Sequence, residues 1–242
     1  RGLLIVSAVI PVLVTVALGL TAGSDIHFNG QPVREVVSFS GPHAAALSLR
    51  VRHALFLPMF ILFVTGASVA GERANHMLRE RLVRPVSRDA LMFAKVAALL
   101  ILCAISLLLN AFVSLSIGTL WMGVDGPWGS MAAGHIVSLF TDLSLIALGL
   151  FLSTIFRSGA LVVVSGILFY LFDQALNAGL FLVGFAGVEN AQMYQAFLPS
   201  TGWNAWTVML GEGLWLAALN WVFWTIVLLF FARHRLATMD VP

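Results

Sequence analysis

Long apolar runs are the feature that most restricts how this chain can fold. The run at residues 91–121 contains one charged residue, Lys95, and similar runs fill much of the remaining sequence. A helix needs about 20 mainly apolar residues to cross a bilayer. Charged residues make up 10% of the chain, whereas soluble domains carry roughly 25%. Because the apolar runs are continuous rather than alternating, the sequence predicts an integral membrane protein built from helices.

We expect an all-α polytopic fold in a single transmembrane domain, residues 1–242. The predicted spans are residues 3–22, 54–70, 91–121, 135–156, 160–181 and 214–231. The segments between them that we place on the outer side are residues 23–53, 122–134 and 183–213. The chain begins with an arginine directly before an apolar run, and we expect a preceding cytoplasmic segment to be missing.

Two of the outer segments contain features of their own. A short amphipathic helix is expected at residues 44–51, with Arg50 and Arg52 near the outer interface. Residues 192–213 are too apolar for a free loop and too interrupted by proline and glycine for a span. Non-helical backbone at membrane depth is tolerated where protein covers it. A re-entrant or interfacial helix is therefore expected before the sixth span.

A basic segment separates the second and third apolar runs. Six of the thirteen Lys and Arg residues of the chain fall within residues 71–95. Positive charge accumulates in the cytoplasmic loops of membrane proteins, so this segment and the C-terminal tail are placed in the cytoplasm. Nucleic-acid binding is not expected, because the segment lies at a membrane surface without interleaved aromatic residues.

The basic segment is predicted to form a helix, a break and a second helix. Glu72 and His76, and Glu80 and Arg84, are spaced four residues apart in the favourable orientation, which supports a helix over residues 72–83. That helix should end before the proline that follows Arg84.

Ser87 is well placed to cap the second helix, and Asp89 in its first turn is favoured by the helix dipole. From the residues alone two readings stay open. The arginines either anchor the chain on anionic lipid head groups or hold a defined surface for a soluble partner.

The same segment resembles the signature of type-2 ABC exporter permeases. The matching residues are Glu72, Leu78, Leu82, the run Arg84-Pro85-Val86-Ser87-Arg88, and Ala94-Lys95. In that family an acidic residue ends the second span, a helix containing Pro-Val-Ser-Arg follows, and Gly-Lys or Ala-Lys opens the third span. His76-Met77 and Glu80-Arg81 depart from the family pattern. The six-span layout extends the resemblance over the whole chain.

The resemblance implies a membrane-spanning subunit that works as a dimer with two separate ATP-binding subunits. A coupling helix in residues 71–95 would dock into the ATPase through Glu72, Arg73, His76, Arg79, Glu80, Arg81, Arg84, Pro85, Ser87 and Arg88. The sequence has no Gly-x-x-x-x-Gly-Lys-Ser/Thr phosphate loop, so ATP and Mg²⁺ are expected in the partner and no cofactor in this chain. The resemblance further implies export across a prokaryotic inner membrane, contact with membrane lipids, and an optional extracytoplasmic accessory protein.

Four polar residues inside the predicted spans are candidates for a substrate pathway: Asp142, Asp173, Asn177 and Asn110. Acidic residues cost at least about 2.5 kcal/mol at the bilayer centre and therefore face protein or water. The alternative is structural: Asp142 is solvated near the outer interface, Asp173 bonds a neighbouring helix, and Asn110 joins helices.

No catalytic residue or metal ligand is predicted. The six histidines show no pair with metal-ligand spacing, and the single cysteine, Cys103, cannot form an intrachain disulfide. A Ser165–His135 pair is unfavourable because the two residues fall at opposite ends of their spans. The alternative function is an intramembrane enzyme, or a membrane anchor that recruits a different cytoplasmic partner through its basic loop.

Overall fold

The computed structural model describes residues 2–22, 27–28, 31–32, 39–75, 77, 87–126, 128–188, 190–200 and 214–238. Almost all of these residues are helical. Among the described residues, strand geometry occurs in the short strands β1 (His27–Phe28) and β2 (Gln31–Pro32). They pair antiparallel, with His27 opposite Pro32. The predicted helical class is therefore confirmed for the described part of the chain.

The N-terminal half begins with α1 (Gly2–Ala22), which contains Pro11. A continuous helical run follows in five consecutive parts: α2 (Gly41–Val51), a π-helical turn π1 (Arg52–Phe56), α3 (Leu57–Gly66), a second π-helical turn π2 (Ala67–Gly71), and α4 (Glu72–Ala74). The remaining helices are α5 (Arg88–Met122), α6 (Trp128–Ile155), α7 (Gly159–Phe185), α8 (Ala191–Phe197) and α9 (Leu214–Thr238).

Four of the described helices, α1, α5, α6 and α7, are long and apolar enough to cross a membrane. They fall on the first, third, fourth and fifth predicted spans. Large apolar side chains such as Leu13, Phe93 and Phe172 are more than 60% exposed on them. A lipid environment permits apolar side chains on the outer surface of the protein and polar side chains buried between its helices. The chain is therefore a multi-pass membrane protein.

The helical run that contains the second predicted span starts earlier than we expected. The short helix expected at residues 44–51 is present as α2, which begins at Gly41 with Pro42 in its first turn, and it continues without a break into the second predicted span. Arg52, which was expected near the outer interface, has a side chain that is only 2% exposed, and its depth in the membrane stays a prediction. Likewise α6 begins at Trp128 rather than near residue 135, and α9 continues beyond 231 to Thr238.

The chain divides into two compact units, residues 1–57 with 103–137 and residues 58–102 with 138–242. In the first unit, α2 and α5 approach closely, since a Cβ added to Gly118 would lie 2.8 Å from the Gly41 Cα. Buried polar side chains join its helices. Ser7 and Ser106 hydroxyls are 2.5 Å apart, and Arg52 Nη2 donates to Ser106 Oγ at 3.2 Å.

In the second unit α3 packs closely on α6 and α7. A Cβ on Gly149 would lie 2.1 Å from Thr65 Oγ1, and one on Gly166 would lie 2.4 Å from Leu62 Cδ2. The Ser153 hydroxyl also donates to the Thr65 carbonyl at 2.9 Å. Small residues thus allow the close helix approach on which packing within a membrane depends.

Candidate functional site

An ion pair joins the two ends of the basic segment. Lys95 Nζ lies 2.8 Å from Glu72 Oε2, and the two side chains are 10% and 12% exposed. Lys95 also donates a hydrogen bond to the Ser68 carbonyl, which belongs to π2. A π-helical turn disturbs the regular backbone hydrogen bonding of an α-helix and occurs frequently at functional sites. The two ends of the basic segment are therefore joined by a nearly buried charge pair and a backbone contact.

Ser87 caps the helix that follows the loop, as the sequence predicted. The Ala90 N–H donates to Ser87 Oγ at 3.1 Å, and Asp89 lies in the first turn of α5. A capping hydroxyl satisfies one of the backbone N–H groups left free at a helix start. The end of the loop is thus a defined helix start at Arg88.

The first turn of α5 also holds the last turns of α9. Arg88 Nη1 donates to the carbonyls of Leu236 and Ala237 at 2.5 and 2.7 Å. Arg233 forms a two-bond pair with Asp89, each bond 2.7 Å long. Sequence reasoning missed these contacts, because the partners are 144 or more residues apart in the chain.

Most of the predicted docking helix lies outside the described residues. The helix that contains Glu72 is described as far as Ala74, and Asn75 has left helical geometry at φ −94° and ψ 11°. The predicted site residues His76, Arg79, Glu80, Arg81, Arg84 and Pro85 fall outside the described part. Of the described site residues, Glu72, Ser87 and Arg88 make contacts within the chain.

Arg73 lies in a positively charged environment. Removal from water lowers the pKa of Arg73 below its ordinary value, and the charges of Arg157 and Arg235 lower it further. Its Nε is buried and has no hydrogen-bond partner. The positive charges of Arg157 and Arg235 thus act on Arg73.

The polar residues of α7 bind the segment that follows α8. The Ser200 N–H donates to Asp173 Oδ2 at 2.5 Å, and Asn177 Nδ2 donates to Ser200 Oγ at 2.8 Å. Gln195 Nε2 in turn donates to Asn177 Oδ1 at 2.8 Å. Asp173 is 3% exposed. These contacts give Asp173 and Asn177 a structural role, and their place in a substrate pathway stays a prediction.

The C-terminal end of α8 is held by α9. Asn220 Nδ2 donates to the Ala196 and Leu198 carbonyls at 2.5 and 2.9 Å, and Trp224 Nε1 donates to the Phe197 carbonyl at 3.0 Å. The last carbonyls of a helix lack partners within it. A short helix is thus present before α9, within the segment for which a re-entrant element was predicted; residues 201–213 lie outside the described part.

Asp142 and Asn110 are both completely buried. The burial of Asp142 argues against the solvated alternative. Asn110 accepts a hydrogen bond from Ser48 Oγ at 3.0 Å, which agrees with a residue that joins two helices. Within the described residues, no group of three or more His, Cys, Asp or Glu side chains is arranged to hold a metal ion.

The sequence model of a family described as ABC-2 family transporter protein matches residues 2–174. The chain belongs to this family. The match includes the whole of residues 71–95 and ends within α7, so that α8 and α9 lie outside it. No curated protein matches the chain.

Membership of the ABC-2 family makes this chain a membrane permease component of an ABC transporter, and the resemblance noted for residues 71–95 is thereby supported. The permease component of this family is distinct from the ATPase and associates with ATP-binding subunits. The ion pair between Glu72 and Lys95 lies at the two ends of the segment that carried the resemblance.

Proposed function

We propose that this ABC-2 permease binds its ATP-hydrolysing subunit through residues 76–86 and transmits movement of that subunit to its second and third spans. Two permease chains and two ATPase chains form the transporter, and the substrate passes between the permeases. The loop faces the cytoplasm of a prokaryotic cell, six helices span its inner membrane, and the direction is export.

The Glu72–Lys95 pair is the observation that carries this proposal. A docked loop can move two spans only if its ends are attached to them. Lys95 bonds both Glu72 and the Ser68 carbonyl, which links the end of the second span to the start of the third. Charged partners at about 10% exposure are partly shielded from screening by salt. We therefore expect the two ends of the basic segment to move together with the attached spans when the ATPase subunit moves.

The contacts of Arg88 reduce the set of residues that we assign to the docking surface. Its guanidinium binds two carbonyls of α9, so it is better assigned to holding the loop base than to contacting an ATPase. Arg79, Arg81 and Arg84 are the remaining arginines between Arg73 and Arg88. We assign the contact with the ATPase to these three and their neighbours.

Purification of the tagged permease from its native membrane in mild detergent tests this assignment, with ATP hydrolysis measured in the eluate. Wild type should carry an ATPase activity that Arg81→Glu/Arg84→Glu reduces at least about tenfold, because like charges facing each other across an interface cost several kcal/mol. Arg50→Glu is the matched control, since Arg50 is exposed and lies outside the loop.

An ATPase activity that is equal in all three proteins would contradict docking through this loop. If no ATPase co-purifies with a folded wild-type protein, the alternative function is favoured. The chain would then be an intramembrane enzyme, or a membrane anchor that uses its basic loop to bind another cytoplasmic partner.

A further inference from the structure

Three helices of the first unit place buried polar side chains at matching levels, and their contacts fix how the helices run. The Ser7 hydroxyl, near the start of α1, lies 2.5 Å from the Ser106 hydroxyl of α5. Near the end of α1, a Cβ on Gly19 would lie 2.8 Å from the ring of Trp121, which lies near the end of α5. Helices α1 and α5 therefore run in the same direction.

The helical run of α2 and π1 passes α5 in the opposite direction. Arg52 Nη2 donates to Ser106 Oγ at 3.2 Å, and one turn earlier in this run Ser48 Oγ donates to Asn110 Oδ1 at 3.0 Å. In each helix the two residues are four positions apart, so they lie on one face with Cβ atoms about 5–6 Å apart. The contacts thus form two layers that are separated by one helical turn.

Helix α1 contributes an unused backbone acceptor between these layers. The bonded side chains define the first layer as Ser7, Arg52 and Ser106, and the second as Ser48 and Asn110. Pro11 is buried four residues after Ser7 in α1 and therefore faces the second layer. Proline has no backbone N–H and cannot donate to the carbonyl four residues before it. The Ser7 carbonyl, which points along the helix towards Pro11, therefore lacks its usual helical donor.

Asn110 brings a second unused group to the same place. Its side chain is 0% exposed, and its Nδ2 has no hydrogen-bond partner among the described residues. Because the Ser48 hydroxyl can donate or accept, either end of the Asn110 amide can face it, and the other end is left without a partner in both cases. A buried polar group without a hydrogen bond is costly. One end of this amide therefore needs a ligand.

The chemistry of these groups matches a water molecule. The Ser7 carbonyl and the Asn110 amide are both neutral, and water can donate to the first while it binds either end of the second. Buried waters make about three hydrogen bonds to polar groups that otherwise lack partners, and the Ser106 hydroxyl is available as the third. The layers are about 6 Å apart along the helix axis, and two hydrogen bonds of about 2.8 Å that share one water span this distance.

Close packing encloses this position. A Cβ on Gly118 would lie 2.8 Å from the Gly41 Cα, about two turns beyond the second layer on α5. Leu49 and Leu107, which neighbour the layers in sequence, are 2% and 5% exposed. A water molecule between the layers is therefore internal and separated from bulk solvent.

We propose that an ordered water molecule occupies the position between the two layers, bound by the side-chain amide of Asn110 and the carbonyl of Ser7. It joins α1 to α5 inside the first unit, next to the bonds that Arg52 and Ser48 make from the neighbouring helical run. This assigns Asn110 to an internal water site rather than to a substrate pathway. The site depends on the packing of the first unit and not on the proposed coupling to an ATPase.

X-ray radiolytic footprinting of the full chain in detergent tests the site, because radiolysis of a bound water forms hydroxyl radicals that oxidise the side chains beside it. Mass spectrometry measures the oxidation of Pro11 and Leu107, which neighbour Ser7 and Asn110 on their helices. A radical scavenger in the bulk solvent should suppress oxidation of Trp121, which is 50% exposed. Pro11 and Leu107 of wild type should still be oxidised, whereas Leu62, which is 0% exposed in the second unit, should not.

Replacement of Asn110 tests which group holds the water. Asn110→Leu should lower the oxidation of Pro11 and Leu107 about fivefold, because one hydrogen bond to the water is lost. Ser114→Ala is the matched control on the same helix, since the described bonds of the Ser114 hydroxyl go to carbonyls of α5 itself. This control should leave the oxidation of both reporter residues unchanged.

Oxidation of Pro11 and Leu107 in wild type that is no greater than that of Leu62 would overturn the proposal. So would a scavenger that protects Pro11 as strongly as Trp121, because the radicals would then come from bulk solvent. Unchanged oxidation in Asn110→Leu, or an equal loss in Ser114→Ala, would overturn it as well. If Asn110→Leu does not fold, the comparison of Pro11 with Leu62 and Trp121 in wild type decides the matter.

Discussion

Lys95 Nζ and Glu72 Oε2 lie 2.8 Å apart and join the two ends of the basic loop. The same ammonium group binds the carbonyl of Ser68 in the π-helical turn before Glu72. One lysine therefore connects the start of α5 to the end of the preceding helical run. In an ABC-2 permease this is the segment through which we expect an ATPase to act.

Breaking the Glu72–Lys95 pair should destabilise the protein markedly. Glu72→Gln and Lys95→Met each leave one charge nearly buried, which costs about 3 kcal/mol and should lower Tm by roughly 6–12 °C in a chain of this length. The double variant Glu72→Gln/Lys95→Met should lose less than the sum of the single changes. Thermal unfolding of the detergent-solubilised protein measures all three, and strict additivity would contradict a direct interaction.

Removing the cap of α5 should loosen its first turn. Ser87→Ala deprives the Ala90 N–H of its acceptor and should cost about 1 kcal/mol, whereas Ser87→Asp retains an acceptor and should cost little. Hydrogen exchange of residues 88–92 reports the effect. Equal exchange in the alanine and aspartate variants would show that the hydroxyl makes no contribution as a cap.

Arg88 should matter more for the end of α9 than Arg233 does. Arg88→Gln removes charge-assisted bonds to two carbonyls, and amides near the end of α9 should exchange about tenfold faster. Arg233→Gln is the matched control, because the Arg233–Asp89 side chains are 65% and 58% exposed and such pairs contribute little. A larger effect of Arg233→Gln than of Arg88→Gln would reverse this assignment.

The hydrogen bond that Asp173 accepts and the negative charge that it carries can be tested separately. Asp173→Leu leaves the Ser200 N–H without an acceptor and should cost about 1–3 kcal/mol, with faster hydrogen exchange over residues 191–200. Asp173→Asn keeps a carbonyl oxygen that can accept this bond and should stay close to wild type. Damage from the asparagine change equal to that from leucine would mean that the negative charge itself is required, as a substrate or proton pathway would need.

The sequence predicted those parts of the fold that depend on local pattern. The apolar runs located α1, α5 and α7 to within a few residues, because only a helix satisfies backbone groups inside a membrane. Ser87 was recognised as a cap because capping needs only neighbouring residues. The burial of Arg52 was not predicted, since its polar neighbourhood resembles a loop in sequence and only the packed helices around it make burial tolerable.

Long-range contacts of the site could not be predicted in the same way. The bonds from Arg88 and Arg233 join residues at least 144 positions apart, and no periodicity encodes such pairing. Lys95 was identified by resemblance alone, and its bond to Glu72 follows from how α5 packs on the end of the second helical run.

Site-specific photo-cross-linking tests the central claim most directly. A benzoyl-phenylalanine introduced in place of Leu82, within the proposed docking residues 76–86, is compared with one in place of Leu120, which is 89% exposed near the other end of α5. We predict that illumination in native membranes joins an ATP-binding subunit to the permease from position 82 and not from position 120. A folded protein that gives no such product from position 82, or equal product from both positions, would contradict the account.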